Sequence, residues 1–486
     1  MRVSAFVAGT CGVLLAVAPG VAHADYTTTV NAQSHWGTWE GWGTSLAWWA
    51  NAFGNRDDVA DILFTRNVVR YDNQDIPGLG LNIVRYNAGG STWNSINGQS
   101  MVASPNISKY TQIEGYWLDW FSADPSSSSW NWYADSPQRN MMWKARDRGA
   151  NVFELFSNSP MWWMLYNHNP SGAADGGENL QSWNYRQHAV YLATIARYAH
   201  DHWGIDFSSV EAFNEPSATW WKADGGQEGC HIGVGVQQQV INYLRAELDA
   251  RGLGWMAVSG SDETAYDTAR DTWNALSAEA RGNVWRINVH GYQYGNGRRD
   301  LLYSTASAAG RKIWNSEYGE NDASGNALAS NLNLDFRWLH PTAWVYWQAL
   351  DGLNWGLIYA NGGAGTLGQV NNKYFVLAQY ARHIRPGMRI LDGGEGNTVA
   401  AYDAAARKLV IVTTNYGTAQ WINYDLSRFA SVAGQSGLVP RWATTIGTGA
   451  GEHYGYHADT NLQGKRFWSW FPANTIQTFE IDGVTL

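Results

Sequence analysis

Two glutamates stand where they could work as a pair. Glu215 lies in Ala212-Phe213-Asn214-Glu215-Pro216, and Glu317 lies in Trp314-Asn315-Ser316-Glu317-Tyr318-Gly319. Each closes a short apolar run of the kind that forms a strand buried on both faces. Cleavage of a glycosidic bond needs two carboxyl groups. One protonates the departing oxygen, and the other acts as nucleophile or as base toward water. A pair held about 5–5.5 Å apart retains configuration, because there is no room for a water between carboxylate and sugar. A lone Asn-Glu-Pro is common by chance. Two carboxylates that each end a strand, with aromatic residues around both, make a much more specific signal.

The elements that must position them follow from the hydrophobic pattern. Strands are expected at 41–46, 81–86, 151–157, 210–214, 256–260, 284–290, 312–317 and 343–348. Helical patterns fall between them at 57–64, 137–148, 183–203, 234–251, 266–276, 301–309, 327–338 and 374–384. Eight strand–helix units in a row predict an α/β fold, a (β/α)₈ TIM barrel spanning residues 41–385. Glu215 and Glu317 then end strands four and seven, and strand ends on the C-terminal face of such a barrel carry its chemistry. A doubly wound sheet would bring a Gly-rich first turn for a nucleotide, and no GxGxxG follows a strand in that setting.

From Pro386 the pattern becomes all-β, with strands expected at 398–402, 408–414, 419–424, 441–446 and 475–481. This predicts a β-sandwich side domain of about 100 residues over 386–486. Residues 25–40 open with a lone strand, Tyr26 to Val30, which needs a sheet to join. The C-terminal module is the natural host, so its expected role is structural rather than that of a separate binding module.

Composition narrows the partners. The chain has 486 residues with formal net charge −9, and only 15% are charged. It lacks the basic stripe that a phosphate backbone or an anionic membrane surface would require, so neither nucleic acid nor membrane is expected as a partner. There are 29 Trp, 25 Tyr and 14 Phe, more aromatics than one core can hold. The surplus falls after expected strand ends: in an insertion at 88–136 and around Trp162, Trp220 and Trp347. It reads as the wall of a cleft for a neutral polymer. The start, MRVSAFVAGTCGVLLAVAPGVAHA, has Arg2, an apolar run and an Ala-His-Ala site, so residues 1–24 read as a signal peptide and the protein as secreted. Cys11 leaves with that segment and Cys230 remains alone, so no intrachain disulfide is expected.

Other chemistries are poorly supplied. Cys230-His231 has no second cysteine, and His200 and His202 at i, i+2 do not share a helix face, so no metal set and no cofactor are expected. No GxSxG elbow appears. Glu211, inside strand four, reads as a salt-bridged barrel-interior group. Asp262-Glu263 and Glu320 read as solvated residues beyond strand ends. One member of each of the pairs Trp162-Trp163 and Trp220-Trp221 is expected to face the cleft.

The two glutamate motifs resemble those of the retaining (β/α)₈ glycosidase clan and, more narrowly, of glycoside hydrolase family 30. The likeness extends to Leu81-Asn82-Ile83-Val84-Arg85-Tyr86, Ser157-Asn158-Ser159-Pro160-Met161-Trp162-Trp163-Met164, Asn288-Val289-His290-Gly291-Tyr292 and Val345-Tyr346-Trp347-Gln348. Within the family, the pattern including Gly225-Gly226-Gln227-Glu228-Gly229-Cys230 is similar to the endo-β-1,6-galactanases. The resemblance implies Glu215 as acid/base and Glu317 as nucleophile. It implies substrate binding by Arg85, Asn158, Trp162, Asn214, His290, Tyr292 and Trp347. Asn214 would hold the sugar 2-hydroxyl, Tyr292 would aim Glu317, and Trp347 would floor the sugar ring. The expected activity is hydrolysis of β-1,6-galactan side chains of arabinogalactan, by a monomer. Another specificity of the family (β-1,6-glucanase, xylanase or an exo-acting enzyme) and a non-catalytic glycan-binding protein are the alternatives.

Overall fold

The computed structural model describes residues 25–433 and 437–486; the expected leader lies outside them. Eight parallel strands close into a barrel. In chain order they are Gly41–Ser45, Ile83–Asn87, Val152–Phe156, Ser209–Glu211, Ala257–Glu263, Val284–His290, Lys312–Tyr318 and Ala343–Gln348. They are called strands one to eight below. Each is followed by at least one helix, so the expected TIM barrel is what the chain forms. Strand five runs three residues past its expected end, through the polar Ser261-Asp262-Glu263 that reads as a loop in sequence. Strand four is shorter than expected, and Glu215 lies beyond it in a left-handed conformation, φ 46°.

The barrel interior is layered. At the bottom Ile83, Trp314, Ala343 and Val345 form a small apolar plug. Above it lies a layer of ionisable side chains in place of the usual branched aliphatics: Arg85, Glu154, Glu211 and Arg286, all buried. The Arg286 guanidinium lies 3.4 Å over the Trp314 ring, which joins the two layers. Glu154 is satisfied by Arg85, Arg286, Ser209, Ser259 and Asn288. Glu211 is interior as expected but not salt-bridged. Neither of its side-chain oxygens has a hydrogen-bond partner, and burial, then the charges of Asp262 and Glu154, push its pKa well up. It therefore sits among charges as a neutral acid.

The side domain packs a six-stranded antiparallel sheet against a three-stranded one. Tyr26–Thr29 lies parallel to Gln420–Asp425, which pairs antiparallel with Arg466–Phe471. Val30, Ile411, Ile422, Tyr424, Phe467 and Phe479 fill the space between the sheets. The seam with the barrel is the helix Asn372–Ala381, every residue of which is buried. Its Gln379 donates from Nε2 to Thr444 Oγ1 at 2.8 Å, and its carbonyl accepts from Thr478 Oγ1 at 2.9 Å. No helix among the described residues is long and apolar enough to cross a membrane.

Candidate active site

Strand seven shows how the fold aims a side chain. Residues on a strand alternate faces, so Trp314 and Ser316 face the barrel axis and Glu317 should face away. The register between strands six and seven shifts so that Val289 pairs with Asn315 but His290 pairs with Glu317. This bulge turns both Ser316 and Glu317 inward. Ser316 Oγ donates to Asp262 Oδ1 at 2.5 Å. Glu317 accepts from Tyr292 Oη at Oε1 (2.9 Å) and from Arg85 Nη1 at Oε2 (3.0 Å). Strand five is irregular in the same way, between Ser261 and Glu263, which leaves Asp262 at φ 54° and pointing inward. The Glu215 N–H donates to the Asp262 carbonyl at 2.9 Å, so strand five also holds the backbone of Glu215.

One carboxylate oxygen of Glu215, one of Glu317 and a ring nitrogen of His290 all lie within 4.8 Å of one another. His290 Nδ1 is 3.2 Å from Glu215 Oε1 and 3.5 Å from Glu317 Oε1, and its Nε2 is 3.5 Å from Asp262 Oδ1. Burial opposes protonation of this imidazole, but the charges of Glu317 and Asp262 outweigh it and raise its pKa to about 10. His290 is thus a cation at neutral pH, with Arg85 a second cation on the far side of Glu317. The donor atoms are close enough to enclose a metal ion. With His290 protonated, the positive charge that these carboxylates attract comes from the protein itself. Burial raises the pKa of Glu317, and the charges of His290 and Arg85 offset that rise only in part.

Glu215 and Glu317 open onto a cleft of about 460 Å³ lined by Asn214, Trp220, Trp221, Gln227, Thr264, Tyr292, Tyr294, Trp347 and Trp355. Asn214, Tyr292 and Trp347 are therefore placed as expected. The Asn214 Oδ1 is buried and has no protein hydrogen-bond partner. Trp48 packs edge-on against Trp347 with ring centroids 5.1 Å apart, which fixes the tilt of that indole.

Four expected substrate contacts fall elsewhere. Arg85 is fully buried with its guanidinium spent on Glu154, Asp262 and Glu317, so it holds a carboxylate and does not reach a sugar. His290 is likewise buried behind the pair. Trp162 is fully buried, with its indole N–H donating to Thr92 Oγ1 at 2.6 Å. Asn158 is buried and absent from the cleft wall; its backbone N–H donates to Asn87 Oδ1 at 3.1 Å. Asn158 lies in the turn that follows strand three, and Trp162 opens the short helix Trp162–Met164 just beyond it. Of the tryptophan pairs, both Trp220 and Trp221 line the cleft, and neither Trp162 nor Trp163 does.

Three acidic residues expected in solvent are buried. Asp262 and Glu263 lie in strand five, with Glu263 accepting from Ser217 and Thr272. Glu320 is covered and paired with Lys373 at 2.8 Å. The aromatic surplus also divides. In the 88–136 insertion Trp117 stacks on Trp130, Trp130 on Trp132 and Trp132 on Tyr198, so these rings pin the insertion to the helix Tyr185–Tyr198 and do not wall a cleft. Asp262 is the main residue that sequence reasoning missed. Its position just after an apolar strand, on the face that carries Glu215 and Glu317, was the available signal.

A closed barrel with two buried carboxylates this close, ringed by aromatics at its C-terminal face, defines a glycosidase. A family model described as O-Glycosyl hydrolase family 30 matches residues 21–274. A curated relative, an endo-beta-1,6-galactanase of Hypocrea rufa, is 57% identical over 465 residues, 96% of each chain. A conserved exported protein from Bacteroides fragilis aligns in structure with TM-score 0.75 at 17% identity, covering 94% of this chain and 100% of that one. A subfamily 8 xylanase from Clostridium acetobutylicum aligns with TM-score 0.68 at 19% identity, with the same coverage. These two show the shared fold. The chain belongs to glycoside hydrolase family 30, and it is an enzyme that acts on glycosidic bonds of a polysaccharide.

Proposed function

We propose that the protein is a retaining endo-β-1,6-galactanase that cuts the galactan side chains of arabinogalactan by double displacement. Glu317 attacks the anomeric carbon, while Glu215 gives its proton to the departing oxygen. Glu215 then takes a proton from water as that water releases the glycosyl group from Glu317. The observation that carries the reading is the spacing of the pair, with one oxygen of each within 4.8 Å. Inverting enzymes need about 6.5–9.5 Å for the intervening water. The choice of galactan rests on the relative from Hypocrea rufa and on a cleft whose only charged lining residues, among the described residues, are the two glutamates. The leader-like pattern of residues 1–24 supports export to the cell exterior.

The test is product profiling on β-1,6-galactan, β-1,6-glucan and xylan. The expected result is a ladder of short galacto-oligosaccharides from the first alone. Release from glucan or xylan in preference would give the family's other specificities their place. Glu317→Gln should abolish release. Azide should rescue Glu215→Ala and yield a β-glycosyl azide, whereas an α-azide would reverse the two roles.

A further inference from the structure

A second concave site lies on the same face of the barrel, between the insertion that follows strand two and the loop that follows strand three. It has a volume of about 400 Å³, and its lining includes Trp120, Trp163, His168, Gln181, Trp183 and Asn184. It shares no lining residue with the cleft of Glu215 and Glu317. The loops that carry the two sites are joined by backbone bridges between Ala173 and Lys222 and between Glu178 and His231, so the sites sit on one continuous wall.

The lining has the chemistry of a sugar platform. Trp183 is 66% exposed, a large apolar surface that folding leaves uncovered. It is not loose: Tyr166 packs edge-on against it at 5.6 Å, and Trp120 meets Trp163 at 6.1 Å. Rigid indole faces match the C–H face of a pyranose ring. Beside them Gln181 and Asn184 are buried and oriented. The Asn184 Nδ2 donates to Gln181 Oε1 at 2.6 Å, and Gln181 Nε2 donates to the Leu165 carbonyl at 2.9 Å. The Asn184 Oδ1 remains to accept from a hydroxyl. Burial lowers the pKa of His168, so its ring is neutral at pH 7 and offers one donor and one acceptor. None of these lining residues carries a carboxylate, lysine or arginine. The pocket lined by Lys109, Glu114 and Asp135 on the other side of the insertion is charged, and suits a neutral ligand less well.

We infer that this pocket is a remote subsite that binds an uncharged glycosyl unit of the same polymer, away from the scissile bond. The inference rests on the galactanase reading for the identity of the sugar, and on the pocket alone for its existence. It gives a long chain a second hold that a short oligosaccharide cannot reach, which is an effective-concentration gain without new chemistry.

The experiment compares the wild type with Trp183→Ala and Trp120→Ala, using soluble β-1,6-galactan polymer and β-1,6-galactotriose. The ratio of polymer KM to triose KM should rise about fivefold in either variant, the loss of one ring contact. Polymer binding by the inert Glu317→Gln chain, followed calorimetrically, should weaken by the same factor when Trp183→Ala is added, and Trp183→Phe should restore most of it. A KM ratio that does not move, or polymer binding indifferent to Trp183, overturns the subsite. If the wild type releases nothing from galactan but cuts another neutral polymer of the panel, the galactanase reading fails. The same ratio measured on that polymer and its trimer then decides the subsite.

Discussion

Asp262 has the widest reach of any residue around the carboxylate pair. Its carboxylate faces Arg85, Ser316 and His290, and its carbonyl holds the Glu215 N–H. It touches neither the cleft nor a reacting atom, so it acts through the groups that do. Asp262→Asn should lower kcat about a hundredfold or more by loosening that geometry, with the circular dichroism of the fold retained. A merely structural role would leave the titration of the His290 ring alone. Here it should move. The Asp262 charge is one of those that hold His290 protonated up to about 10. Its removal should shift the ring titration of His290, followed by NMR, downward toward the ordinary histidine value of about 6.5. An unchanged titration in Asp262→Asn would show that the carboxylate does not tune His290.

The loops on the catalytic face are held together by a buried acid. Glu228, in the loop after strand four, accepts at Oε1 from Ser91 Oγ at 2.6 Å in the loop after strand two, and the backbone of Gly90 and Ile113 in that loop helps to hold its pKa down. Burial pushes its pKa up to about 8 against those hydrogen bonds, so it is a neutral carboxyl at neutral pH. Glu228→Gln keeps acceptor and shape and should leave Tm close to wild type. Glu228→Ala strands the buried Ser91 hydroxyl and should destabilise by about 1–3 kcal/mol. The two melting curves separate a hydrogen-bonding role from a charge role. If Gln costs as much as Ala, the carboxyl works as an anion and its assignment as a neutral clasp is wrong.

The barrel and its side domain share the helix Asn372–Ala381, buried on all sides. Removing 386–486 would expose one flank of that helix and leave Thr444 and Thr478 missing from Gln379. Such a truncation should yield insoluble protein, as recovery in the soluble fraction would reveal. A soluble, active barrel would refute the shared core. The buried acids and His290 also set the pH response of the whole fold. Glu320 and Asp135 have pKa values raised to about 7, Glu228 to about 8 and His290 to about 10. In each case the folded state binds its proton more tightly than the unfolded chain does. Stability is therefore lost as pH rises from the unfolded values toward these folded ones. The window in which all four act in one direction or have finished acting is pH 6.5 to 9, and Tm should fall steadily across it. A Tm that climbs over that range would contradict the assigned protonation states.

Much of this was legible in one chain of letters, for definable reasons. Eight apolar runs separated by amphipathic ones are sufficient to call for a barrel, because a parallel sheet buried on both faces has few other ways to close. Glu215, Glu317, Asn214, Tyr292 and Trp347 could be placed because each stands at or just after such a run. The inward turn of Glu317 could not be read, since strict alternation would point it outward and only the register shift with strand six reverses that. The burial of Asp262, Glu263 and Glu320 was hidden for a related reason: a carboxylate is read as solvated unless its partners are known. Arg85, Ser316 and Lys373 come from distant parts of the chain. The sequence by itself determined the scaffold and the identity of the carboxylate pair, which depend on local periodicity. Only the tertiary structure decided which aromatics wall a cleft and which charges are neutralised, because both depend on contacts between segments far apart in the chain.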